Sequence, residues 1–228
     1  MSKVVLNKKE QNMLKGLSRV ISFFAVVGRI FMYIAIVAFM FCMLISPKII
    51  KHVKTYDNTI ELKIGDEKMT MIKETNSEVV VYHNDKKESK MENVISFDNL
   101  KKMFDTHSHS TIIGYSEAFF LLMMAYLYII SLILKHLGKL FNNVSAGETP
   151  FTLENVEHMK KMGIYMITAI IMPSVISIIF KLFTDVDLDL SLNLIDIVQI
   201  LFIMSMTLIF KYGYILQDGS KKTIYDKE

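Results

Sequence analysis

A chain of 228 residues could bury a soluble core, but 52% of these residues are hydrophobic, only 21% are charged, and the mean hydropathy is +0.35. The apolar residues are gathered into four long runs, which excludes an ordinary soluble domain, and the net charge of +3 is too dispersed to form a basic patch for direct nucleic acid binding. A single cysteine, Cys42, excludes an internal disulfide and a cysteine-based metal site.

Residues 1–46 hold a basic N-terminal stretch and the first apolar run, "AVVGRIFMYIAIVAFMFCMLIS". A helix crosses a hydrocarbon core of roughly 30 Å at 1.5 Å per residue, and only a helix satisfies its own backbone in a run of this length. The run is too long for a cleaved signal and no A-x-A-like site follows it, so it is expected to remain as an anchor. Phe41, where a lipoprotein site would need a small residue, argues against lipidation of Cys42. Arg29 stands about eighteen residues before Pro47, which puts it near the headgroups where arginine snorkels. Residues 8–27 read either as an interfacial amphipathic stretch or as the same helix continued.

Residues 47–111 change character. Period-two patterning with turn residues at Gly65-Asp66, Thr75-Asn76 and Asn84-Asp85 predicts three or four short antiparallel strands, at 59–64, 69–74, 78–83 and 93–96. A short helix follows, with Ser96 or Asp98 as cap and Leu100, Met103 and Phe104 on one face; this helix and the membrane surface are the available covers for so small a sheet. His107 and His109 have the spacing of a metal pair but lack a third and fourth ligand, so they read as a polar turn. Nothing in the chain calls for a metal or other cofactor, and no phosphate loop, nucleophile elbow or zinc helix is present, so an enzyme is not expected.

The second run, Ala118 to Leu134, lies within a transmembrane helix over 112–140. A loop at 141–162 follows, and it contains a helix start. Thr152 can accept from the amide of Asn155, Glu154 lies in the first turn, and Phe151 and Val156 have staple spacing. The third helix spans 163–183 and contains Pro173, with Ala169 and Ser177 on the same small-residue stripe. A short outer loop at 184–191 leads to the fourth helix at 192–215 and a tail at 216–228. The expected fold is therefore a mainly α membrane protein, with four transmembrane helices and a small extracytoplasmic β-rich domain between helices 1 and 2.

Charge sets the expected orientation. The N-terminal segment through Arg29, the 135–162 region and the C-terminal end from Lys211 onward carry fourteen lysines and arginines against seven acids, whereas the 184–191 loop holds three aspartates and no lysine. Short basic loops stay inside, so both termini and the 141–162 loop are expected in the cytoplasm. Glu117, Lys181, Asp196 and Gln199 lie at similar depth near the other face. Charges there either face the bundle and pair, Lys181 with Asp196 in particular, or snorkel separately to the headgroups.

The stretch from Gly147 through Pro150, Phe151, Thr152, Glu154 and Asn155 resembles the G-x-PFT-x-EN signature of an uncharacterised bacterial four-helix membrane family, a domain of unknown function. Tyr212, Gly213, Leu216 and Gln217 are similar to that family's closing YG-x-x-LQ pattern, although Lys222 stands where an acid usually precedes the threonine. The resemblance implies the bacterial cytoplasmic membrane and, as a partner, a small helix-turn-helix regulator; it implies no activity. Two functions stay open. One is a regulatory or sensory membrane protein that couples the outer domain to a cytoplasmic partner. The other is an immunity or transporter-accessory protein. The lipid bilayer is a partner in both, an oligomer is compatible with either, and the dispersed basic groups suit anionic headgroups.

Overall fold

The computed structural model describes residues 8–74, 78–92, 97–146, 151–184 and 194–225. Five helices and five strands are found among them: α1 (Lys8–Ile50), β1 (Val53–Tyr56), β2 (Thr59–Ile64), β3 (Glu67–Lys73), β4 (Glu78–His83), β5 (Lys86–Glu92), α2 (Phe97–Thr106), α3 (His109–Ser145), α4 (Leu153–Thr184) and α5 (Leu194–Tyr225). α1, α3, α4 and α5 are each long and apolar enough to cross a membrane. α1 is unbroken over 43 residues, so residues 8–27 continue the first apolar helix. α4 likewise continues through Pro173.

The chain divides into two compact units. One contains Val37–Met124 and Val175–Leu190, and with them the sheet. The sheet is an antiparallel meander in the order β1-β2-β3-β4-β5. Two-residue turns join β1 to β2, β2 to β3 and β4 to β5 and set the register of those pairs. Gly65 takes a φ of +63°, a value that costs a glycine little. Asn84 and Asp85 both have positive φ, at 48° and 62°, as a twist-matched hairpin turn requires. Val53, Ile60 and Val79 point to one face, where Phe97 of α2 completes the core and Leu100 and Phe104 pack at its margin.

β1 and β5 are additional to the expected strands, and the expected strand at 93–96 lies outside the described residues, as does Ser96. β5, "KKESKME", has no apolar alternation; the turn at Asn84-Asp85 brings its backbone back along β4. Asp98 sits in the first turn of α2, and its carboxylate accepts from Lys73 Nζ on β3 at 2.6 and 2.7 Å, so it ties the helix to the sheet. At the other end of α2, Asp105 accepts from Thr55 of β1 at 2.5 Å and from Lys101 at 2.6 Å.

In the same unit, Pro47 lies in the last turn of α1. A proline has no N–H to give to the carbonyl four residues back. That carbonyl belongs to Met43, and Ser46 Oγ donates to it at 3.2 Å. Ser46 also meets Ser116 of α3, hydroxyl to hydroxyl, at 3.3 Å. Phe39 against Phe120 and Phe119 against Phe180 pack α3 between α1 and α4.

The other unit contains Met1–Ile36, Ala125–Ser174 and Ser191–Glu228. Small residues allow close helix contact there. A Cβ on Gly138 would lie 3.4 Å from Ala25, and one on Gly28 would lie 3.0 Å from Leu134. Ser22 Oγ donates across the same α1–α3 contact to the Gly138 carbonyl at 3.3 Å. Gly163 plays the same part between α4 and α5, against Ile203 at 3.1 Å.

Candidate functional site at the turn between α3 and α4

α3 ends at Ser145 and α4 begins at Leu153. Thr152 caps α4 as its position predicts: its hydroxyl accepts from the Asn155 amide at 3.2 Å, and its carbonyl accepts from Val156 at 3.0 Å. One orphan amide of the first turn is thereby satisfied. The cap holds Asn155 facing inward. Asn155 is fully buried, and its side-chain oxygen accepts from Asn143 Nδ2 of α3 at 2.9 Å. A buried amide needs such a partner, because leaving it unpaired costs about 1–3 kcal/mol.

One turn further along α4, His158 meets His136 of α3. Both are buried, and their Nδ1 atoms are 3.3 Å apart. A hydrogen bond between two imidazoles needs one donor and one acceptor, so at least one ring is neutral there. Tyr165 stacks on His136 with ring centroids 5.7 Å apart. The exposed Glu154 carboxylate approaches His158 Nε2 to 3.5 Å, an electrostatic contact rather than a hydrogen bond. Sequence reasoning missed His136, His158 and Asn143. The available signal was placement: each histidine stands just beyond an apolar run, one on either side of the same hairpin.

α5 joins this turn through Phe151. Its ring lies over Gly213, where a Cβ would meet ring carbons at 2.6–2.9 Å, and it packs edge-on against Phe210 at 5.5 Å. The two sequence motifs are thus brought together, with Phe151 and Gly213 as their point of contact. Leu153, Tyr212 and Leu216 are each about 60% exposed, and Gln217 is half-buried. Gly147 and Pro150 lie outside the described residues. Glu117 is half-buried on α3 and Lys181 is exposed in the last turn of α4; Asp196 is half-buried in the first turn of α5, and Gln199 is exposed.

In the sheet-bearing unit, an open cleft of about 270 Å³ lies beside β1, lined by Lys54, Thr55, Tyr56, Phe104 and His109. His109 holds one wall in place, with Nε2 at 3.0 Å from the Val53 carbonyl. Among the described residues, no group of three or more His, Cys, Asp or Glu is placed to hold a metal ion.

No family model matches the chain, and neither a curated protein nor a solved structure matches it.

Proposed function

We propose that this chain is a multi-pass protein of the bacterial cytoplasmic membrane that reports an extracytoplasmic condition to a cytoplasmic partner, without catalysis. α1, α3, α4 and α5 are the spans in this reading. Their large exposed apolar side chains support it, among them Phe31, Phe41 and Leu44 of α1 at 61–69% exposure, which in water would be an uncovered apolar surface. The distribution of lysine and arginine supports a cytoplasmic α3–α4 turn with both termini on the same side. The sheet and its cleft then face outward, where a small solute can reach them.

The observation that carries the regulatory reading is the seating of Phe151 on Gly213. It joins the α3–α4 turn to the last helix, so a partner that grips Leu153 also lies near Tyr212. The motif resemblance favours a small helix-turn-helix regulator as that partner. A photo-crosslinking amino acid placed at Leu153 or Tyr212 in living cells tests this. The expected result is one adduct common to both positions, containing a cytoplasmic protein. Absence of any adduct, together with sensitivity of a deletion strain to a peptide toxin, would reject the regulatory reading in favour of immunity.

A further inference from the structure

α1 and α3 touch at Gly28 and Leu134, and the next residue on each helix is a cation, Arg29 and Lys135. Arg29 faces the Tyr33 phenol, and Lys135 lies within electrostatic range of it. Arg29 Nη2 donates to its oxygen at 3.3 Å, the guanidinium carbon lies 5.9 Å from the ring centroid, and the Lys135 charge and the Ser131 hydroxyl are also close. Arg29 Nε is shielded from solvent and has no acceptor among the described residues. Nor does a carboxylate pair with Arg29 or Lys135 there. Glu157 of α4 is engaged by Lys161 at 2.7 Å. Two cations and a phenol therefore converge without an anion.

Depth indicates what that anion is. Eighteen residues separate Arg29 from Pro47, and eighteen separate Lys135 from Glu117. At 1.5 Å per residue each span covers about 27 Å, close to one hydrocarbon thickness. Resting on the membrane reading above, both cations then lie in the layer of lipid phosphates. Tyr33 is 43% exposed, so the cluster opens to the periphery, where lipid stands. We infer that Arg29, Lys135 and Tyr33 bind the phosphate of an anionic glycerophospholipid at the cytoplasmic leaflet. A phosphodiester supplies two charged oxygens that a guanidinium fork can engage together, and the ammonium and phenol complete its neutralisation.

Native mass spectrometry of the full chain, purified from membranes and exchanged into phosphatidylglycerol or phosphatidylcholine, tests the site. Wild-type protein is expected to retain one phosphatidylglycerol with a preference on the order of tenfold over phosphatidylcholine. Arg29→Gln and Lys135→Gln should each lower that preference, and Lys211→Gln, a cation on another helix, should not. Equal retention of the two lipids by the wild type overturns the proposal and requires no variant to fold. An equal loss in Lys211→Gln overturns it too, since general surface charge would then be the cause. Displacement of the lipid by millimolar inorganic phosphate would make free phosphate the ligand and overturn the lipid assignment. A chain absent from the membrane fraction defeats the membrane reading itself, whereas an embedded chain without lipid preference defeats only this site.

Discussion

Phe151 and Gly213 are 62 positions apart in sequence, yet the ring of one fills the space a side chain would need on the other. Gly213→Ala should therefore destabilise the protein by about 1–3 kcal/mol through overpacking. Combining it with Phe151→Ala removes the obstruction, so alanine at 213 should cost much less on that background. Thermal unfolding of the four proteins in one detergent measures the cycle, and purely additive losses would show that the two residues are not coupled.

The Thr152 cap and the Asn143–Asn155 bond are separable. Thr152→Ala is expected to cost about 1 kcal/mol, with Thr152→Ser close to wild type because the hydroxyl is kept. Asn155→Ala leaves the Asn143 amide without its buried acceptor and opens a cavity, so a larger loss, of about 1–3 kcal/mol, is expected. Hydrogen exchange should report both as faster exchange in the first turn of α4.

Acid should loosen α2 from the sheet. The hydrogen bond from Lys101, then that from Thr55, holds the Asp105 carboxyl below its usual range. A depressed native pKa stabilises above the unfolded value, roughly 3.9, and that stability is lost as pH falls through the native one. Protection of the α2 amides in the full chain, their exchange taken relative to the intrinsic rate at each pH, should fall below about pH 4. Asp105→Asn should exchange faster already at neutral pH and respond less to acid.

Orientation can be read by labelling. With Cys42 replaced by Ser, a maleimide that does not cross membranes should label Lys86→Cys in intact cells and spare Glu154→Cys until the cells are opened. Both positions are exposed in the structure, so accessibility within the fold does not confound the result. The reverse pattern would invert the proposed topology.

The long helices were legible because a run such as Ala118 to Leu134 states its environment without reference to the rest of the chain. Thr152 was legible for a similar reason, since a cap is a contact over three residues. β5 was not, because backbone pairing led by a turn draws in a polar segment that carries no alternation of its own. The His136–His158 pair and the seat of Phe151 depend on which helix faces which, and no local pattern encodes that. Asp98 shows the intermediate case: its place near a helix start was visible, but its partner, Lys73 on β3, was not.

Only Lys51 and His52 stand between the end of α1 and β1, and only His107 and Ser108 between α2 and α3. His52 Nδ1 is braced on the Lys48 carbonyl at 2.7 Å, and His109 is braced on β1. Such short tethers leave no slack. The end of α1 and the start of α3 are thereby pinned beside the first strand of the sheet.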